Sequence, residues 1–272
     1  MGQAGLTFDG DALLAWYERV RRPLPWRATR DPYALLVSEV MLQQTQAQRV
    51  VPYYRGFLAR FPDPRALAAA PTKDVLAAWS GLGYNRRALA LQRAAAHVAE
   101  HGWPSDLTEL PGVGPYTAAA VASFAWDRQV AAVDTNVRRV IARWDGVHQA
   151  PRALAERARE LLPRGRAADF NQAMMELGAT MCRPRRPDCG ACPVRRGCAS
   201  AGRVRAAAAT RPGTRAERFE DSDRWARGRL LAALVAGDPP PALEPARRER
   251  AEAGLLRDGL AVRGPDGRLR LP

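Results

Sequence analysis

Helical spacing or helical punctuation recurs through almost every segment of this chain up to about residue 181, and strand signals are nearly absent before residue 255. DGDALLAWYERV places Leu13, Leu14, Tyr17 and Val20 on one helical face. Asp31-Pro32 is a helix opening with proline in the first turn, and it leads into YALLVSEVMLQQT. Pro71-Thr72 opens KDVLAAWS, which Gly81 and Gly83 close, and Gly102 ends the long helix NRRALALQRAAAHVAEHG. Further helices are predicted over 115–126, 136–144, 152–162 and 168–181. With 272 residues, 47% of them hydrophobic, the chain can build a sizeable core in one or two domains. The main body is therefore expected to be all-α.

The end of the chain differs. Residues 201–222, rich in Arg, Ala, Gly and Thr, read as a linker. DRWARGRLLAALVAG and LEPARRERAEAGLLRDG predict two helices, and GLAVRGPDGRLRLP carries a Pro-Asp-Gly hairpin turn. Helix, helix, hairpin is compatible with a small winged-helix-like module.

A formal net charge of +14 favours a polyanionic partner, nucleic acid above an anionic membrane surface. The charge is spread, with 27 basic and 18 acidic residues up to position 200 and 15 and 10 beyond it, so a basic patch has to come from folding. The N-terminal residues lack a signal-peptide pattern, and the longest apolar runs fall far short of the roughly 18 residues of a membrane span. A soluble, cytoplasmic protein without a membrane partner is expected.

Four stretches carry chemistry. SEVMLQQTQ, residues 38–46, sets Glu39 among Val37, Val40, Met41 and Leu42, and then presents Gln43, Gln44 and Thr45 one turn on, polar groups suited to bases. ELPGVGPYTAAAV, residues 109–121, is a helix–hairpin–helix pattern. Its Gly112 and Gly114 permit a tight turn, and the N–H groups at the next helix start can bind a phosphate. VDTNVRRV places Asp134 immediately before a helix; Asp is a favoured N-cap there, with Asn136 able to assist, and capping does not exclude chemistry. Cys182, Cys189, Cys192 and Cys198 are the only cysteines, spaced C-x6-C-x2-C-x5-C, which suits zinc or a [4Fe–4S] cluster in a reducing compartment. Five arginines lie among them, opposed by Asp188 alone, so the loop can face a phosphate backbone.

LPWR (24–27), SEVMLQQTQ, GLGY (81–84), LPGVGPYTA, VDTNVRRV, FNQAMMELGA (170–179) and the four-cysteine loop follow one another in an order that resembles MutY-type adenine-specific mismatch DNA glycosylases. These form a branch of the helix–hairpin–helix superfamily, and the resemblance covers about residues 8–200. It implies a glycosylase domain over 1–206: a six-helix subdomain near 28–130, and a cluster subdomain from 1–27 and 131–206 whose loop, 182–198, holds a [4Fe–4S] cluster. A linker and small C-terminal module would occupy 207–272. The implied partner is double-stranded DNA carrying adenine opposite 8-oxoguanine or guanine, bound by a monomer that flips the base into a cleft between the subdomains. The resemblance makes Glu39 the acid that protonates adenine, and a carboxyl among aliphatic residues near a cleft should hold its proton near neutrality. Asp134 becomes the anion facing the oxocarbenium-like sugar, with Tyr116 and Asn136 positioning acid, sugar and water. Gln43, Gln44 and Thr45 contact the partner base, Tyr84 wedges between bases with Leu82 beside it, and Trp26, Arg27 and Gln172 line the adenine pocket.

Endonuclease III relatives carry a lysine where this chain has Tyr116 and use it for strand cleavage. Lys73 is the only lysine here, so a monofunctional hydrolase is expected. Two departures stand out: Asn85 replaces a second tyrosine common after GLGY, and the residues after the cysteines carry no pattern of the Nudix-like domain usual in this branch. A thymine–guanine mismatch glycosylase on the same scaffold is the competing enzyme. A non-catalytic DNA-binding or redox-sensing iron–sulfur protein is the competing reading of another class.

Overall fold

The computed structural model describes residues 7–203 and 218–272. Along the chain the helices are α1 (Gly10–Val20), α2 (Pro32–Leu42), α3 (Ala47–Arg60), α4 (Pro64–Ala69), α5 (Thr72–Trp79), α6 (Arg86–His101), α7 (Pro115–Trp126), α8 (Thr135–Asp145), α9 (Pro151–Glu160), α10 (Ala167–Glu176), α11 (Asp223–Ala236) and α12 (Pro245–Arg257). Among the described residues the only strands are β1 (Val262–Arg263) and β2 (Leu269–Arg270), paired antiparallel as a hairpin. The all-α expectation holds. Of the linker read over 201–222, residues 204–217 lie outside the described residues. No helix among the described residues is long and apolar enough to cross a membrane.

The chain forms two compact units, Met1–Glu39 with Val113–Thr210, and Val40–Gly112 with Arg211–Pro272. These limits differ from the expected ones near 28 and 130. In the first unit Leu35 of α2 packs with Ala120, Phe124 and Ala125 of α7 and Ala168 of α10, so both helices share its core. Helix α7 buries residues all round, as a central helix must. A second cluster joins Leu13, Leu14 and Tyr17 of α1, Val137, Ile141 and Trp144 of α8, and Phe170 and Met174 of α10. Val20, expected on the buried face of α1, is exposed, because Arg21 leaves helical geometry immediately after it.

The other unit contains α3 and α4, neither predicted above, although Asp63-Pro64 opens α4 with the same cap and proline as Asp31-Pro32. Helix α3 has Pro52 in its interior and no side-chain cap at Gln46, yet it buries Val50, Tyr54 and Phe57. Phe57 meets Phe61 at 4.9 Å and Trp79 at 5.9 Å, both edge-on, an arrangement that aromatic quadrupoles favour. Helices α11 and α12 pack on each other through Ala226, Leu230, Leu231, Ala251 and Leu255, and α11 also packs against α5. Helix, helix, hairpin therefore appear in the expected order.

Candidate active site

Helix α2 is apolar on every side, with Leu35, Leu36, Val37, Val40 and Met41 buried, and Glu39 lies among them at 5% exposure. Burial pushes the Glu39 carboxyl up, a hydrogen bond from Tyr116 pulls it back, and the charge of Asp134 adds a further rise; the outcome is about 7. Desolvation wins because an ionised carboxylate loses far more solvation than one phenol hydrogen bond returns. The Tyr116 hydroxyl is itself held well above its usual value by burial and by the charges of Glu39 and Asp134, so it stays a donor. Its oxygen also lies 3.8 Å from the Met175 sulfur. Glu39, Tyr116 and Asp134 thus form one coupled group.

Asp134 ends an extended stretch that Asn171 secures. The buried Asn171 amide accepts from Ala132 N at 3.0 Å and donates to Val130 O and Ser123 Oγ, both at 2.9 Å. Asp134 then caps α8, accepting from Val137 N at 2.7 Å, while Asn136 Nδ2 donates to its other oxygen at 2.7 Å. Asn136 Oδ1 in turn accepts from Arg139 Nη2 at 2.8 Å, and Arg139 also donates to Gly178 O and Cys182 O at 2.7 and 2.8 Å. The carboxylate, its amide neighbour and the cysteine loop are therefore one hydrogen-bonded chain. Gly178 lies in a π-helical turn, Leu177–Met181, and a Cβ there would meet Asn136 Cβ at 2.5 Å and its backbone at 3.0 Å. Gly178→Ala is expected to cost about 1–3 kcal/mol and to lower activity by displacing Asn136. Urea unfolding and single-turnover kinetics check it, and an unchanged midpoint and rate would contradict the close approach.

Trp26, in a short 3-10 turn at Pro25–Arg27, is buried. Arg27 is engaged by a buried acid. Its Nη2 donates to Glu176 Oε2 at 2.6 Å and its Nη1 to Arg22 O at 3.2 Å, and Arg22 grips the same carboxylate at 2.7 and 2.8 Å. Burial pushes the Glu176 carboxyl up, but the two arginines outweigh burial and hold it below its usual value. Arg27 is therefore spent on neutralising a carboxylate at 1% exposure. It also covers the Tyr17 ring at 5.5 Å, and Tyr17 donates to Gln172 Oε1 at 2.7 Å, which orients that amide.

In the other unit, Gln43, Gln44 and Thr45 form the turn after α2, and Tyr84 ends the GLGY loop. Gln44 and Tyr84 both adopt left-handed backbone, φ 57° and 49°. Such geometry costs a non-glycine residue roughly 1–2 kcal/mol, and strain of this kind concentrates at functional loops. Arg87 ties the two loops together, donating to Val40 O at 2.7 Å, Gln43 O at 2.6 Å and Gly83 O at 3.1 Å. Tyr84 is 44% exposed, whereas Leu82, expected beside it, is buried at 6%. Lys73 sits exposed in the first turn of α5. Gly112 has φ 77° and a Cβ there would strike Ala90 Cβ at 2.6 Å, so glycine is required. Gly114 has φ −86°, which any residue adopts, and open space where a Cβ would be. The expectation that both glycines serve the turn holds for Gly112 alone.

The four cysteines are unpaired, half-buried and line one cavity with Arg143, Asp188 and Arg195. Ala199 N and Ser200 N bond Trp144 O and Arg143 O, and Trp144 Nε1 bonds Val194 O, stitching the loop to the end of α8. Among the described residues no three metal-ligating side chains are grouped to clasp one ion. Tetrahedral zinc draws four sulfurs to about 2.3 Å from one point. Four thiols lining one cavity are a donor set that zinc or an iron–sulfur cluster can take.

Residues 37–164 match the family described as HhH-GPD superfamily base excision DNA repair protein. An adenine DNA glycosylase of Mycobacterium tuberculosis is 44% identical over 284 residues, spanning 96% of this chain and 92% of that protein. The adenine DNA glycosylase of Mycolicibacterium smegmatis is 42% identical over 95% of this chain and 94% of its own length. The chain belongs to the adenine DNA glycosylase family. Among solved structures, a thermostable thymine-DNA glycosylase superposes with a TM-score of 0.67 at 32% identity, covering 72% of this chain and 95% of that one.

Within this adenine DNA glycosylase family member, sequence reasoning missed Arg139, Met175, Tyr17, Asn171 and Arg87. Asn171 and Met175 stand inside the quoted FNQAMMELGA segment, and Arg139 inside VDTNVRRV. Helical spacing from Asp134 puts Arg139 within reach of Asn136, a signal that was available. Nothing local marks Tyr17 or Arg87, whose partners lie far along the chain or in loops.

Proposed function

We propose that this base excision repair enzyme hydrolyses the N-glycosidic bond of adenine mispaired with 8-oxoguanine or guanine, acting as a monomer on duplex DNA in the cytoplasm and leaving an abasic site. The observation that carries the reading is the coupled group of Glu39, Tyr116 and Asp134. Glu39 retains its proton up to about pH 7 and can give it to the departing adenine ring. Tyr116 donates to the carboxylate this leaves. Asp134, fixed by the α8 terminus and Asn136, supplies acceptor oxygens to the cationic sugar. Once the C–N bond has broken and its electron pair has left with the protonated adenine, water adds to the sugar carbon and gives its proton to the Glu39 carboxylate. Gln172, oriented by Tyr17, and Trp26 hold the flipped base; Gln43, Gln44, Thr45 and Tyr84 occupy the gap it leaves; Gly112 and Gly114 present backbone N–H groups to a phosphate.

Duplexes carrying A:8-oxoguanine, A:G, T:G or oxidised pyrimidines, incubated with the protein and then hot alkali, test the reading. Cleavage confined to adenine supports it; cleavage at T:G points to the thymine specificity of its structural neighbour; no cleavage at all rejects glycosylase activity. With tyrosine at 116, no borohydride-trapped adduct forms at the rate of turnover.

Cys182, Cys189, Cys192 and Cys198 would hold a [4Fe–4S] cluster, which would supply a rigid staple for the arginine-bearing loop. The purified protein is expected to be brown, with absorbance at about 400 nm and about four irons per chain. Colourless protein with one zinc contradicts this.

A further inference from the structure

We infer that the C-terminal module carries a DNA phosphate contact, Arg224, built onto the Tyr84 wedge. This rests on the reading of Tyr84 as the residue inserted between bases. Arg224, in the first turn of α11, sets its guanidinium 4.6 Å from the centre of the Tyr84 ring and 5.9 Å from that of Phe219. Tyr84 and Phe219 are 44% and 56% exposed, two of the six large hydrophobic side chains left at the surface among the described residues. Both lie against Arg224. Arg224 is itself exposed and forms no ion pair among the described residues. Several neighbouring charges are already paired, Asp223 with Arg250 at 3.0 Å, Arg227 with Asp258 at 3.2 Å and Arg248 with Glu252 at 2.9 Å, while Arg229 and Arg247 rest on the Trp225 ring.

The module is anchored where this contact needs it. Helix α11 buries Ala226, Leu230 and Leu231 and packs on α5, the helix that the GLGY loop follows. Asp258, after α12, reaches Arg86 at the start of α6. Arg87 lies at 5.4 Å from the Tyr84 ring, so two guanidinium groups contact this residue. Arg87, however, is committed to backbone carbonyls, and Arg224 keeps its donors for a ligand. A planar, permanently charged fork beside a base-inserting ring suits one phosphate oxygen pair flanking the opened step. Phe219 and Tyr84 restrict the side chain, so less entropy is lost when the phosphate binds.

The test uses the full chain and a duplex in which non-hydrolysable 2′-fluoro-2′-deoxyadenosine faces 8-oxoguanine. Arg224→Ala is expected to weaken binding about tenfold at physiological salt, and to reduce the slope of log Kd against log salt by about 0.9, the value of one phosphate contact. Arg224→Lys restores the slope. Arg268→Ala, at the tip of the hairpin, changes neither. A contact that only docked the module would lower the melting temperature and leave the salt slope intact, which would overturn the inference. Parental affinity and slope in Arg224→Ala, alongside weakened binding in Tyr84→Ala, reject the phosphate contact and leave the wedge standing. Parental binding in both variants removes the wedge reading as well.

Discussion

Glu39→Gln is expected to lower the single-turnover rate of adenine release at least about a thousandfold, within the range of lost general-acid catalysis, while duplex affinity stays within a few-fold of the parent. Glutamine keeps the size and the acceptor that Tyr116 needs, and lacks only the transferable proton. In the parent enzyme, excision should fall as pH rises through about 7, because the acid is then lost. A stability effect accompanies this. At or below the ordinary value of 4.5 the carboxyl is neutral in both the folded and the unfolded chain, so burial carries no charge penalty. Between 4.5 and about 7 the unfolded chain gives up the proton and the folded chain keeps it, so stability declines as pH rises. Above about 7 the decline is complete, and it amounts to something on the order of 3 kcal/mol. Glu39→Gln should therefore be more stable than the parent at about pH 8 and much less distinguished from it at about pH 5. Denaturant midpoints at the two pH values check the sign; an equal effect at both would mean that the carboxyl is not desolvated.

Asp134→Asn separates capping from chemistry. Asparagine is as good an N-cap as aspartate, so the bond from Val137 N survives. Asparagine has a single acceptor oxygen, so with that oxygen kept on Val137 N the bond from Asn136 Nδ2 is lost, at a net cost of about 1 kcal/mol. Stability should therefore fall only by that small amount, while excision drops roughly a hundred- to ten-thousandfold with loss of the anion facing the sugar cation. Asp134→Ala should add the loss of a cap, about 1 kcal/mol, visible as a lower melting temperature. Single-turnover rates beside thermal melts resolve the two. An Asn variant with parental kinetics would leave Asp134 a cap and nothing more.

The residues at the active site differ in how plainly they could be read. Glu39 was legible as an acid out of place among aliphatic neighbours, and Asp134 as a carboxylate at a helix start. Their coupling through Tyr116 was not, since it needs α7 and α2 to share one core. Arg27 looked like a base-pocket residue, but Glu176, 149 positions away, takes its guanidinium. Leu82, read as standing beside the wedge, is buried, while Gly114 looked like a turn glycine and has ordinary backbone geometry.

What the sequence alone determined are features governed by interactions three or four residues apart: the helices and their ends, the Asp134 cap and the confinement of every thiol to one loop. Even there α3 escaped notice, because an interior proline speaks against a helix that tertiary burial nevertheless maintains. Only the tertiary structure decided which carboxyl was stripped of water, which arginine was consumed by a buried partner, and which arginine of a distant module came to rest on Tyr84. Desolvation and ion pairing depend on what surrounds a side chain in space, and local periodicity does not encode those surroundings.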